Sequence, residues 1–307
     1  MKKKTTQKQK KILAKTAGSE KERKIRRQMT EASAVFWVLF AALILLWKLP
    51  GRPLEGRAYV VAHRAGAWDA PENTLAALEN AIVSGADMVE MDFQETQDGE
   101  LVCFHDTSLK RTAGWNKNVW ELTYEELQKA DVGSYFSADY AGEQIPTLED
   151  VLKMAKGKIH LMLELKSNGH EKNLAEKAVK LIEQYGMEEQ CSIASMSARI
   201  LKKAKELNPD IPAIYISRVV EQRMLKQDYI DGFSVKVTFI NEGDVRKTHL
   251  RGKSIYGWTA NRKADVKKLL RCGVDGVITD NISMAENCMT DEETDEQRII
   301  SFRFLQE

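Results

Sequence analysis

Apolar segments of strand length alternate with helix-like segments along most of the chain, from Ala58 onward. Most of the apolar segments are followed by a segment such as NTLAALENAIVSG, in which Leu75, Leu78 and Ile82 share one helical face. About eight strand–helix units over roughly 230 residues predict a closed parallel (β/α)8 barrel. An open, doubly wound sheet is the alternative, but no G-x-G-x-x-G follows an early strand. The apolar segments are AYVVAH, MVEMDF, LVCFHD, KIHLMLELK, CSIASM, IPAIYIS, DGFSVKV, SIYGWTA and DGVITD.

The alternation is interrupted between residues 107 and 146. This stretch has no pattern of a barrel helix and ends at IPTLEDVL. We expect an insertion above one end of the barrel, where it serves as a lid or a substrate platform. Its aromatic residues are Trp115, Trp120, Tyr124, Tyr135, Phe136 and Tyr140.

The region before the barrel combines a basic arm with an apolar span. Residues 1–31 carry a net charge of +9, which leaves −8 for residues 32–307. The stretch 32–49 is free of charge apart from Lys48, and at about 1.5 Å per residue it covers roughly 27 Å, close to the thickness of a bilayer core. This pattern predicts a transmembrane helix rather than a buried core helix. The basic arm suits topogenic signalling better than nucleic-acid binding because it adjoins the apolar span.

A cleaved signal peptide is the alternative to a retained anchor. The basic region is long for a signal peptide, and Gly56-Arg57-Ala58 is a poor cleavage site. We therefore predict an uncleaved signal anchor in a cell-membrane protein that spans the membrane once. The positive charges place the N-terminus in the cytoplasm and the catalytic domain outside it. The predicted organisation is a cytoplasmic arm (1–31), an anchor (32–49), a barrel (57–290) and a tail (291–307).

The four cysteines are widely scattered through the predicted barrel. Their spacing fits neither a metal site nor the disulfide framework of a small secreted domain, so we expect core thiols. They are Cys103, Cys191, Cys272 and Cys288.

Ionisable residues stand where several predicted strands end. Glu90 and Asp92 are two residues apart in VEMDF, so their side chains point to one face of a strand. Glu164 and Lys166 repeat this spacing in LMLELK. His63-Arg64 follows the first strand and His105-Asp106 follows LVCFHD. The carboxyl ends of the strands form the active-site face of such a barrel, so these side chains are expected to meet there.

Each of these residues also has a structural interpretation. Asp69 with Glu72 fits a helix start with a capping box, and Asp106 and Asp280 fit helix caps or turns. The coincidence of three carboxylates and two histidines at equivalent strand ends favours a functional site. Carboxylates without sulfur ligands or an H-E-x-x-H helix suit Ca²⁺ or Mg²⁺ better than zinc.

The chain resembles the glycerophosphodiester phosphodiesterase family from about Tyr59 to Asn281. The resemblance rests on HRAGAWDAPENT, VEMDFQETQDGELVCFHD, ELTYEELQKADVGSYF, AGEQIPTLEDVL, LELK, YGWTAN and GVDGVITD. It implies a metal-dependent (β/α)8 enzyme that cleaves glycerophosphodiesters to sn-glycerol 3-phosphate and an alcohol. One departure is Ala65, where the family usually has glycine after His-Arg.

The resemblance also implies a role for each strand-end residue. His63 and His105 would be the general acid/base pair, and one divalent ion, Ca²⁺ or Mg²⁺, would be bound by carboxylates. Arg64 and Lys166 would contact the phosphate, and Trp258 would line the pocket. The implied metal ligands are Glu90, Asp92 and Glu164.

Two other functions compete with this prediction. One is a lysophospholipase D that acts on membrane lysolipids, and the other is a catalytically silent anchor or binding protein. The expected partners are a small glycerophosphodiester and, through the N-terminal helix, the membrane, without nucleic acid. The leaving alcohol, the metal, the first nucleophile (water or the substrate's own hydroxyl) and the oligomeric state are left open by the sequence.

Overall fold

The computed structural model describes residues 56–290 and, separately, Trp37. The chain divides into two compact units, Met1–Pro50 and Gly51–Glu307, and residues 56–290 belong to the second. Among the described residues, no helix is both long enough and apolar enough to cross a bilayer. The span predicted at 32–49 lies, except for Trp37, outside these residues, as do the basic arm at 1–31 and the tail at 291–307.

Nine β-strands occur between residues 56 and 290. They are β1 (Tyr59–Ala62), β2 (Met88–Glu95), β3 (Leu101–Cys103), β4 (His160–Leu165), β5 (Cys191–Ser195), β6 (Ala213–Ser217), β7 (Gly232–Lys236), β8 (Ser254–Trp258) and β9 (Gly276–Thr279). Eight of them are parallel in the order β1-β9-β8-β7-β6-β5-β4-β2, and β1 pairs with β2 to close the sheet. The predicted (β/α)8 barrel is confirmed. β3 lies outside the barrel and pairs antiparallel with β2.

Helices connect most of the barrel strands and cover the sheet, whereas the connection between β6 and β7 contains only turns and irregular structure. They are α1 (Leu75–Val83), α2 (Lys110–Ala113), α3 (Tyr124–Leu127), α4 (Leu148–Ala155), α5 (Leu174–Tyr185), α6 (Ala198–Leu207), α7 (Glu242–His249) and α8 (Lys263–Cys272), and residues 282–290 are also helical. Their apolar faces bury the outward-facing strand residues in the main core, which includes Val60, Val89, Phe93, Leu163 and Phe233. All four cysteines are buried and none forms a disulfide, as predicted.

Inward-facing strand residues form a second apolar cluster inside the barrel. Side chains such as Val61, Met162 and Tyr256 fill the interior below the strand ends. Because successive residues of a strand point to opposite faces, every second residue continues this inner surface towards the carboxyl ends. The interior is therefore closed at depth, and polar side chains are placed at its upper rim.

The segment 107–146 holds α2, α3 and two short 3-10 turns, and it has a small apolar core of its own, including Leu109, Val119 and Leu127. Its Tyr135 hydroxyl accepts a hydrogen bond from the backbone N–H of Glu72 at 3.1 Å. The segment therefore packs against the loop that follows β1, at the carboxyl ends of the strands.

Candidate active site

Three carboxylates converge at the carboxyl ends of β2 and β4. Glu90 and Asp92 lie two residues apart on β2, and Asp92 is in register with Glu164 on β4. One oxygen of each carboxylate lies within 4.8 Å of the others. Asp92 is 1% exposed, so the cluster is held almost out of water.

Because the three carboxylates are buried close together, their pKa values are shifted in different directions. Burial and the nearby charge of Asp92 raise the pKa of Glu90 to about 8. Burial also raises the pKa of Glu164, again with Asp92 adding to the effect. For Asp92, burial opposes ionisation, but Lys166, His105 and Arg64 outweigh it and the pKa is lowered.

The cluster fits a hard divalent cation. Oxygen Oε1 of Glu90 is buried without a hydrogen-bond partner among the described residues. Three carboxylates and no sulfur form a donor set of the kind that Ca²⁺ or Mg²⁺ prefers. A buried carboxylate with an unsatisfied oxygen and a raised pKa gains most when a cation binds beside it.

The two cations predicted to contact phosphate border this cluster. Nζ of Lys166 lies 2.7 Å from both Asp92 and Glu164. Nη1 of Arg64 donates to Glu72 at 2.9 Å, whereas its Nε is buried without a hydrogen-bond partner in the described part of the chain. The backbone N–H of Arg64 donates to Glu90 at 2.9 Å, which ties the loop after β1 to the carboxylates.

A tight turn after β1 places the first histidine. Residues His63–Ala65 form a short 3-10 turn in which Arg64 has φ 50°. Ala65 is also left-handed, with φ 67°, a conformation that glycine adopts without the Cβ penalty. Glycine, which the family resemblance leads one to expect here, would adopt this conformation without strain, and the turn keeps the same geometry with alanine.

Each histidine is held at Nδ1 by an aspartate. Nδ1 of His63 lies 2.6 Å from Asp280, which follows β9, and Nδ1 of His105 lies 2.7 Å from Asp106. Because Nδ1 is engaged in both rings, Nε2 is the nitrogen left for proton transfer. Both histidines border one cavity of about 170 Å³.

The protonation of the two rings differs. Burial lowers the pKa of His63, but the carboxylates of Asp280 and Glu90 outweigh burial, and the net shift is upward. For His105, burial prevails over the attraction of Asp92, and its pKa lies below the ordinary value. At a given pH, His63 therefore holds its proton more strongly than His105, a difference that suits a division between general acid and general base.

Gln94 on β2 fixes the loop that carries the second histidine. Its side-chain amide donates to the backbone carbonyls of Phe104 at 2.8 Å and Asp106 at 2.7 Å. His105 lies between these two residues and is not on a barrel strand. A buried side chain of β2 therefore determines where this histidine stands.

Residues 72–74 of the APENT stretch each make a contact that holds the site or the helix beside it. Glu72 binds Arg64, and it also accepts from Arg111 at 2.8 and 2.7 Å. Asn73 donates to the carboxylate of Asp92 at 2.8 Å and accepts from its backbone N–H at 3.1 Å. Thr74 caps α1 by accepting from Ala77.

The structure therefore corrects three structural interpretations. The helix start expected at Asp69 lies instead at Thr74, and Glu72 binds arginines rather than closing a capping box. Asp106 and Asp280, which the sequence left as caps or turns, hold the two histidines. Their position at the carboxyl ends of strands is the signal that could have identified them.

All of the predicted site residues except Asp92 line the same cavity, and Asp92 lies beneath its floor among its neighbours Lys166 and Glu164. Trp258, at the end of β8, borders the cavity opposite the carboxylates, and its Nε1 has no hydrogen-bond partner in the described residues. The cavity is also lined by Met162, Met196, Ile216, Ser234, Thr259 and Ile278.

Comparison with known proteins agrees with the fold and with the family resemblance. The model of the glycerophosphoryl diester phosphodiesterase family matches residues 63–284. The chain is 35% identical over 228 residues to the putative glycerophosphodiester phosphodiesterase YhdW of Bacillus subtilis, covering 72% of this chain and 94% of the relative. It is 30% identical over 261 residues to a lysophospholipase D of Rattus norvegicus, covering 72% of this chain and 82% of that protein.

A solved structure shares the architecture. An Oleispira antarctica phosphodiesterase, in complex with the product sn-glycerol 3-phosphate, matches with a TM-score of 0.72 and 28% identity, over 76% of this chain and 96% of that one. The family match covers more than half of the chain, and the YhdW alignment covers most of that relative. The chain belongs to the glycerophosphoryl diester phosphodiesterase family.

Proposed function

We propose that this chain hydrolyses glycerophosphodiesters to sn-glycerol 3-phosphate and an alcohol. One observation carries the proposal: a carboxylate cluster, two aspartate-supported histidines and two cations meet at a single small cavity. A phosphodiester carries negative charge, which a planar guanidinium matches by paired hydrogen bonds. The product bound to the Oleispira antarctica relative supports glycerol 3-phosphate as one half of the substrate.

Glu90, Asp92 and Glu164 would hold one divalent cation, Ca²⁺ or Mg²⁺. When bound, such an ion neutralises charge on phosphoryl oxygens. Nζ of Lys166 lies 2.7 Å from both Asp92 and Glu164, and from there it would contact a phosphoryl oxygen bound beside these carboxylates. Arg64 would contact the same group through its guanidinium, whose Nε lies 3.9 Å from Asp92 and makes no hydrogen bond with the described residues.

The histidines divide the proton transfers. One Nε2 removes a proton from the nucleophile, and the other protonates the leaving alkoxide. Asp280 and Asp106 keep each ring in the orientation and tautomer that this task needs. The nucleophile is water or a glycerol hydroxyl of the substrate, and the second route passes through a cyclic phosphate.

The deciding experiment measures glycerol 3-phosphate released from a panel of glycerophosphodiesters, with and without chelator. Release that depends on a divalent ion and on both histidines supports the proposal. A protein that releases none from any head group would instead be the silent anchor or binding protein.

A lysophospholipase D activity is the second candidate. Relatives with that name in rat and mouse are 30% and 29% identical to the chain. The cavity wall also includes Met196, whose side chain is 62% exposed and offers apolar surface at the mouth. Assays on glycerophosphocholine and lysophosphatidylcholine in parallel separate the two activities, since only the second carries an acyl chain.

The membrane attachment is a proposal from the sequence. The basic arm at 1–31 and the apolar span at 32–49 support a single-pass signal anchor with a cytoplasmic N-terminus and an extracytoplasmic barrel. Protease accessibility on intact cells tests this topology. Digestion of the barrel only after the cells are opened would place it in the cytoplasm and overturn the proposal.

A further inference from the structure

The wall formed by β7 and β8 presents hydrogen-bond donors that the proposed chemistry does not use. Ser234 lines the cavity and is 3% exposed, and although its backbone is paired in the sheet, its hydroxyl makes no hydrogen bond with the described residues. Indole Nε1 of Trp258 is buried and equally unpaired. Buried donors of this kind gain most from an acceptor that the substrate supplies.

Two cations continue this wall towards solvent. On β7, Phe233 and Val235 pack in the outer core whereas Ser234 faces the cavity, so Lys236 points to the cavity side. Lys236 is exposed and in register with Trp258.

Arg218 occupies the corresponding position beside β6. It follows the cavity residue Ile216 by two positions, and its guanidinium lies 5.4 Å from the centre of the Phe239 ring. Stacking on the Phe239 ring restricts the positions that the Arg218 guanidinium can adopt. Neither Arg218 nor Lys236 has an ion-pair partner between residues 56 and 290, unlike Arg64, Lys166 and Arg111 at the opposite rim.

The size of the cavity determines which part of a substrate reaches these cations. A volume of about 170 Å³ is small beside the roughly 300–1,000 Å³ of pockets that enclose a drug-sized ligand. A glycerophosphoryl group fills such a space, so the alcohol on the other side of the phosphorus must lie at the mouth. There it meets the exposed ends of β6, β7 and β8.

We infer that Arg218 and Lys236 select glycerophosphodiesters whose leaving alcohol carries an anionic group, such as a carboxylate or a phosphate. The inference rests on the proposed function and names the substrate class of that site. Ser234 and Trp258 add donors below the two cations. A cationic alcohol such as choline meets like charge at the same place and is disfavoured.

The test compares kcat/KM for three diesters that differ in the charge of the alcohol: glycerophosphocholine, glycerophosphoglycerol, and glycerophosphoglycerol with a terminal phosphate. The wild-type enzyme is expected to prefer the phosphorylated diester, and the preference is expected to fall as ionic strength rises. In the double variant Lys236→Met, Arg218→Gln, the ratio of phosphorylated to neutral substrate is expected to fall about tenfold. Lys202→Met, which removes an exposed charge on α6, is the matched control and should keep the wild-type ratio.

A ratio that does not change in the double variant, or a wild-type preference for the choline diester, would overturn the inference while glycerol 3-phosphate release still supports the proposed function. Absence of any release contradicts the proposed function itself. Calorimetry then measures the affinity of His105→Ala for the same three diesters, which tests the selection by Arg218 and Lys236 in the absence of turnover. Equal affinities for the three would refute the selection by charge.

Discussion

The carboxylate of Asp280 lies 2.6 Å from Nδ1 of His63, although the two residues are 217 positions apart in the sequence. A carboxylate at this distance stabilises the imidazolium form and raises the pKa of the ring, as it does here against the effect of burial. The ionisation of His63 therefore depends on the final strand of the barrel.

Asp280→Asn is expected to move one limb of the pH profile of kcat/KM to lower pH. Asparagine is neutral and cannot favour the imidazolium, so the pKa of His63 falls. The profile is measured at saturating divalent ion. Asp265→Asn, which removes a carboxylate paired with the exposed Arg262, is the control and should leave both limbs in place. If neither limb moves in Asp280→Asn, Asp280 does not govern the histidine.

Removal of divalent ions is expected to abolish activity, and added Ca²⁺ or Mg²⁺ to restore it. Three buried carboxylates repel one another unless a cation lies among them. Glu90→Gln, Asp92→Asn and Glu164→Gln should each raise the metal concentration that gives half of the maximal rate. Full activity after exhaustive dialysis against chelator would contradict the metal assignment. Calorimetric titration of the apoprotein with each ion checks the affinity independently of turnover.

His63→Ala and His105→Ala are expected to lower kcat by about 10² to 10⁴ and to keep a near-native Tm. Both rings border the cavity and neither fills the apolar core, so their loss acts on proton transfer more than on folding. His249→Ala is a useful contrast. That ring lies 2.8 Å from the buried Asp275, and its loss should lower the Tm more than kcat. Retention of more than about a tenth of wild-type kcat would exclude the histidine concerned.

Glu72→Gln is expected to raise KM about tenfold with a smaller effect on kcat. Glu72 binds Arg64 and Arg111 together, and a neutral amide cannot hold two guanidinium groups. Loss of one charge-assisted hydrogen bond of about 1.5–3 kcal/mol would leave Arg64 less well placed for phosphate. The exposed Glu125 provides the control as Glu125→Gln. Steady-state kinetics with unchanged KM in Glu72→Gln would refute this positioning role.

A shortened protein that starts at Arg57 is expected to be monodisperse and active on water-soluble glycerophosphodiesters. In the barrel β1 pairs with both β2 and β9, and the core is built from its own strands and helices. Any activity on bilayer-embedded lysolipid should fall, because the proposed anchor would raise the local enzyme concentration at the membrane. Size-exclusion chromatography and the two assays measure this. Aggregation with loss of both activities would assign residues 32–49 to the domain core.

Local patterns in the sequence predicted the barrel and most of the site. Alternation of strand and helix patterns indicated the (β/α)8 fold, and the two-residue spacing of Glu90 and Asp92 put both carboxylates on the inner face of β2. These features depend on neighbours in the sequence and on the rule that active sites lie at strand carboxyl ends.

Partners far apart in the sequence were missed. The pairing of His63 with Asp280 follows from closure of the barrel, which no local pattern encodes. Glu72 fitted a capping residue because the same short motif suits a helix start, whereas in the structure it binds Arg64 of its own loop and Arg111 of the inserted segment. The rim cations Arg218 and Lys236 carried no motif at all.

Strand β2 supports both the carboxylate cluster and, through the amide of Gln94, the loop of a histidine. This one strand carries Glu90 and Asp92 and also anchors the loop that bears His105. Slippage of a strand by a single residue sends every side chain to the opposite face. An insertion or deletion of one residue within β2 would thus displace two of the proposed cation ligands and the support of His105 in a single event. Among descendants of this gene, length changes are expected in the surface loops and not in this strand.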